Sequence, residues 1–168
     1  IISSLGGLAL EHIKQIFISM IPLVILLPTL NDMVGDYGTI VSSRFSTMLH
    51  KGEIKKKVWQ NKELKKLFLQ ITITAFLTAV ISAVSALGIA AVTEQGRTFT
   101  AVFAAKIFVI TILDVLVLVM LLFVTAILAG LYYYKKKEDP NNFLIPITTS
   151  VADLGNMVVL AVLVVLFF

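Results

Sequence analysis

The sequence predicts an all-α integral membrane protein, a five-helix transmembrane bundle, and three observations lead there. Of its 168 residues 58% are hydrophobic, and the mean hydropathy is +0.98. Only 14% are charged, against about a quarter in a soluble domain. Those charges cluster between apolar stretches long enough to cross a bilayer. A chain of this size leaves much of its surface exposed in any fold, so lipid must solvate most of the apolar surface. The net charge of +4 comes mainly from two lysine clusters and is not a nucleic-acid signature. Cysteine is absent, which excludes disulfides and thiolate metal sites.

The elements follow in order. Residues 1–10 are apolar and then meet Glu11, His12 and Lys14. They are too few to span, since a helix needs about 20, and they lack the basic n-region that a signal peptide would carry. They are read as the end of a first helix that begins before residue 1. The second segment covers 15–50, apolar to Leu30 and semi-polar from Asn31 onward. The third covers 67–92 without a charge. The fourth, 98–134, exceeds the bilayer core at about 1.5 Å per residue, so its outer end is expected to protrude or lie in the interface. The fifth covers 143–168.

Orientation follows from the lysines. The loop 51–66 and the loop 135–138 are lysine-rich, whereas 93–97 carries only Glu94 and Arg97. Basic loops stay in the cytoplasm, which places both lysine loops inside a multi-pass plasma-membrane protein. Trp59 and Tyr132, Tyr133 and Tyr134 fit interfacial anchors. Lys55, Lys56 and Lys57 are placed to touch anionic lipid heads, so membrane lipid is an expected partner. Glu11 and His12 would face external water.

An ionisable group inside a bilayer is costly unless a partner, water or an ion receives it. Four acids fall within apolar segments: Asp32, Asp36, Asp114 and Asp153. Asp36 lies about 20 Å from the His50 end if helical, and Asp153 about 15 Å from Phe143 on the same side. Both carboxylates are thus expected near the midplane. Asp32 shares a face with Asp36, as i and i+4 do. Asp114 is about 30 Å from Lys135, which predicts an outer-interface position: a vestibule or dimer contact, or an ordinary interfacial residue. Pro28, Gly35 and Gly38 surround the acids of the second segment. Pro146, Thr148, Thr149, Ser150, Gly155 and Asn156 surround Asp153. An oxygen-rich, sulfur-free lining suits a hard cation such as Mg²⁺ or Ca²⁺. Each position has a plainer reading beside it. Asp153 is a cation ligand or a helix–helix hydrogen-bonding group. Asp36 is a pore or gate residue, a partner of Arg44, or a cap. Asn31 and Asp32 form a pore mouth or cap a kink, and the hydroxyls are commonly interhelical glue. No G-x-S-x-G, H-E-x-x-H or P-loop appears, so no enzyme is expected.

The run Asp139-Pro140, Pro146, Thr149, Asp153 and Gly155 resembles the last transmembrane helix of the MgtE magnesium channel family. Pro28, Gly35-Asp36, Ser43-Arg44, Ser46-Thr47 and Gly52 are similar to the corresponding stretch of that family's eukaryotic solute-carrier relatives. The family usually has Gly-Asn where this chain has Gly35-Asp36, an added negative charge. The resemblance implies five-helix units that form a pore by dimerising, so that this chain would act as a homodimer. It implies Mg²⁺ as the transported ion, with Mn²⁺ or other divalents as further candidates, and no nucleic-acid partner. The acid of the last helix binds Mg²⁺ in the family, and Asp153 occupies that position. The expected metal set is Asp153, Asp36, Thr149, Asp32 and Asn31. Gly35, Pro146, Gly155, Asn156 and Arg44 are the expected pore lining. An exchanger coupled to Na⁺ or H⁺ through Asp36, and a non-transporting membrane scaffold, are the alternatives.

Overall fold

A computed structural model describes residues 7–8, 10–11, 13–54, 58–93 and 100–168. Several expectations lie outside the described residues: most of the first-helix end over 1–10, His12, the lysines Lys55, Lys56 and Lys57, and the pair Glu94 and Arg97. Among the described residues there is no strand. The helices are α1 Lys14–Ile18, α2 Ile21–His50, α3 Lys62–Thr93, α4 Ala101–Lys135 and α5 Pro140–Phe167, with a 3₁₀ turn at Val58–Gln60 before α3. Three of them, α3, α4 and α5, are long and apolar enough to cross a membrane. α2 is 30 residues long but carries Asn31, Asp32 and Asp36 along its middle.

Local chemistry sets the ends. The stretch expected as one segment over 15–50 is two helices, because Met20 is extended (φ −120°, ψ 87°) and Pro22 sits in the first turn of α2. Proline is pre-organised at a helix start, where its missing N–H was unpaired anyway. α2 ends in a Schellman motif: Glu53 N donates to Met48 O and Gly52 N to Leu49 O, both at 3.0 Å, with Gly52 left-handed at φ 68°. α4 ends the same way, with Glu138 N donating to Tyr133 O at 3.2 Å and Lys137 N to Tyr134 O at 3.1 Å. There the left-handed position is Lys137, at φ 60°. Side chains cap the helix starts. Asn61 accepts from Leu64 N at 3.0 Å, Thr100 from Phe103 N at 3.2 Å and Asp139 from Asn141 N at 3.0 Å. α3 and α5 begin three to five residues before their expected starts. Hydropathy marks the apolar span, whereas the helix runs on through its charged first turn to the cap.

α2 and α4 run parallel through the middle, with Gly38 against Leu122 and Phe45 against Gly130. α3 runs antiparallel to α2, joined by hydrogen bonds from Tyr37 to Thr78 and from Ser82 to Met33. α5 runs antiparallel to both α2 and α4 and lies on the opposite side of that pair from α3. Close approach comes from small residues, as between membrane helices generally. Ala75, Ala79, Ala83, Ala86 and Ala90 form a fully buried stripe on α3. At the end away from the lysines, Lys106 Nζ donates to Phe167 O at 2.7 Å and lies 4.8 Å over the Phe168 ring. A cation there meets the negative end of the α5 dipole. At the lysine end, a hydrogen bond with Tyr132 holds the Lys136 ammonium above its ordinary pKa.

A polar seam between α2 and α5

Asp153 stands on α5, thirteen residues beyond Pro140, so about 20 Å along the helix. Opposite it, Asn31 Nδ2 donates to Asp153 Oδ1 at 2.9 Å, and Asn156 Nδ2 donates to Asn31 Oδ1 at 3.3 Å. This relay links α2 and α5. Asn31 and Asp153 are half-buried, and Asn156 is fully buried. The Asn156 Oδ1 atom has no partner among the described residues. One turn nearer the lysine end, on the same helix face as Asp153, Thr149 Oγ1 donates back to Ile145 O at 2.9 Å. Ser42 and Thr148 then pair at 2.8 Å, and Thr148 Oγ1 lies 2.8 Å from Leu144 O of its own helix and 3.2 Å from Gly38 O of α2.

The seam opens at the lysine end into a polar pocket of about 310 Å³ lined by Ser43, Ser46, Thr47, His50, Lys51, Asp139 and Asn141. His50 Nε2 is 3.9 Å from Asp139 Oδ1, and its Nδ1 is 2.9 Å from Ser46 O. Polar side chains thus follow the two helices from mid-bundle to their end. In the sequence Asp139 stands out only as part of a motif, and His50 only as the end of the second segment. Their meeting depends on α2 and α5 ending at one level, which spacing along the chain does not encode.

The other expected site residues fall in three places. Asp32, Asp36 and Arg44 are exposed along one stripe of α2 beside the seam, with Pro28 on the same stripe. Among the described residues none of these charged groups forms an ion pair within 4.0 Å, so Asp36 is not the partner of Arg44. Gly35 borders the stripe, and a Cβ there would meet open space. Pro146 is exposed on α5. Gly155 instead faces α4, where an added Cβ would come within 2.8 Å of Leu118.

Asp114, expected near the outer interface, is turned into the bundle. It is fully buried on α4, and neither carboxylate oxygen has a partner among the described residues. It lies one turn from Leu118 and two turns deeper than Lys106.

Among the described residues, no three His, Asp or Glu side chains converge on one point within the single chain. The relay brings together one carboxylate and two amide groups, with the Thr149 hydroxyl one turn away.

The family model for the divalent cation transporter MgtE matches residues 27–163. That span runs from just before Pro28 to past Asn156 and covers α3 and α4 whole and most of α2 and α5. Comparison with curated proteins and with solved structures gives no match. With a polar, acid-bearing seam inside a membrane bundle and the family model matching most of the chain, this protein belongs to the MgtE family of divalent cation transporters.

Proposed function

We propose that the protein passes Mg²⁺ along the α2–α5 seam, with Asp153 as its principal ligand, and that two copies face each other across it as a homodimer. The observation that carries this reading is the Asn156–Asn31–Asp153 relay. A carboxylate at mid-bundle is expensive, and Asn31 donates an amide hydrogen bond to it here. A doubly charged ion is the natural counter-charge. Mg²⁺ keeps several waters and needs only one or two carboxylates, which fits the sparse acids and the hydroxyls of Thr149 and its neighbours. Asp32 and Asp36 on the adjoining stripe would concentrate cations, as rings of acids do in cation pores. Mn²⁺ and other hard divalents suit the same oxygens. The positive-inside rule puts the lysine end in the cytoplasm.

The test is Mg²⁺ uptake into liposomes holding the purified protein. Asp153→Asn keeps an acceptor for Asn31 and removes the charge, so uptake should fall by tenfold or more while the thermal midpoint holds. Uptake equal to that of the unaltered protein would overturn the assignment.

One observation favours a second reading, exchange of Mg²⁺ against Na⁺ or H⁺. Asp114 is buried with both oxygens unpartnered, and intramembrane acids serve as coupling sites in transporters. A coupling ion would supply the partner those oxygens lack. Uptake that responds to an imposed sodium or pH gradient, and loses that response in Asp114→Asn, would establish exchange. Gradient-independent uptake would eliminate it.

A further inference from the structure

A crevice on the far side of the α2–α4 pair from the seam plays no part in cation passage. It lies between α3 and α4 near the lysine end and encloses about 290 Å³. Leu64 and Phe68 of α3 wall it on one side, Phe123 and Ile127 of α4 on the other, and Trp59 of the 3₁₀ turn stands at its rim. The Phe68 and Phe123 rings meet edge to face with centroids 5.0 Å apart. A cavity with such walls does not hold water, so its occupant is hydrocarbon.

The rim has the opposite character. Lys65 lines the crevice one turn before Phe68 on the same helix face, with Lys62 and Lys66 within a turn of it. Among the described residues none of these three lysines forms an ion pair within 4.0 Å. Trp59 is 61% exposed and brings an indole N–H donor to the level where tryptophans gather at a membrane boundary. An apolar slot below a cluster of unpaired ammonium groups complements one class of molecule: a lipid with a negative head and a long acyl chain.

We propose that this crevice binds an anionic phospholipid of the lysine-side leaflet, with one acyl chain against Phe68 and Phe123 and the phosphate on Lys65. Charge complementarity selects this occupant. A neutral phospholipid would fill the slot but leave the lysines without counter-charge, and a second copy of the chain would bring to this face the same cationic rim.

The experiment is native mass spectrometry of the delipidated full chain in detergent, titrated with phosphatidylglycerol or with phosphatidylcholine of the same chain length. Phosphatidylglycerol should be retained preferentially. Lys65→Gln should weaken its retention about fivefold, the equivalent of about 1 kcal/mol for one basic group near the surface. Leu64→Trp fills the slot while keeping Lys65, and should lower retention of both lipids. Equal retention of the two lipids by the unaltered protein would overturn the proposal, as would phosphatidylglycerol retention unchanged by Lys65→Gln. A Leu64→Trp variant that changes oligomeric state and not lipid retention would assign the crevice to a second copy and overturn it too.

Discussion

Gly130 and Gly35 show how differently two glycines serve one bundle. An added Cβ at Gly130 would come within 2.6 Å of the Phe45 ring and 3.2 Å of Leu144, and neither ring nor buried leucine can yield in a packed core. Gly130→Ala should therefore cost about 1–3 kcal/mol, read as a lower thermal midpoint in detergent. At Gly35 a Cβ meets nothing, and alanine in a helix interior is favoured over glycine by about 0.5–1 kcal/mol. Gly35→Ala should leave the midpoint unchanged or raised, while slowing Mg²⁺ uptake if this position borders the ion path. A lowered midpoint with normal uptake would remove Gly35 from the path. Lys137 carries a similar argument in reverse, since it holds the left-handed C′ position that Gly52 fills at the end of α2. A side chain there costs about 1–2 kcal/mol, partly offset by the greater unfolded-state freedom of glycine. Lys137→Gly should raise the midpoint by a few degrees. Residue chemistry was largely legible in the sequence: Asp153, Asn31 and Asn156 stood out as polar groups in apolar stretches. Their relay was not legible, because pairing Asn31 with a carboxylate 122 positions away requires the register of two antiparallel helices.

At the scale of elements, α2 and α5 are held by the few hydroxyl groups that the sequence marked as interhelical glue. Thr148 does that work: it is fully buried, pairs with Ser42 and reaches the Gly38 carbonyl. Thr149, one residue on, bonds only within its own helix and is free to face the seam. Thr148→Val keeps the shape, removes the hydroxyl and leaves buried Ser42 without its partner. It should cost about 1 kcal/mol, the scale of a hydrogen bond between membrane helices. The Thr149→Val exchange should leave stability nearly unchanged and act on transport alone. Equal thermal shifts for the two variants would show that the seam is not joined at Thr148. The long apolar helices themselves were plain from hydropathy. The break before Ile21 was not, because the uninterrupted apolar run hid the stop that Pro22 imposes. Nor was the burial of Asp114: composition reveals a charge in a helix, but not which side of the helix the neighbours cover.

At the scale of the whole molecule, the exposed stripe of α2 poses the main physical problem. Asp32, Asp36 and Arg44 are uncovered in the single chain, and charged groups at this depth do not face lipid without heavy cost. The outer face of α3 poses no such problem, since Leu77 and Ile81 are more than half exposed and hydrocarbon suits them. If two copies meet, the interface should therefore follow α2 and bury the acids around water and the passing ion. Because the chain has no cysteine, a single introduced thiol reports on this cleanly. Ile40 lies on the acid stripe, one turn beyond Asp36, and is 44% exposed. Ile40→Cys should form a disulfide-linked dimer on mild oxidation in the membrane, whereas Ile81→Cys, at 63% exposure, should stay monomeric on a denaturing gel. Mg²⁺ should alter the Ile40→Cys yield, because an ion between the acid stripes offsets their mutual repulsion. Cross-linking through Ile81 in place of Ile40 would move the interface to α3, leave the acids of α2 facing lipid, and break the link between the exposed carboxylates and a shared ion path.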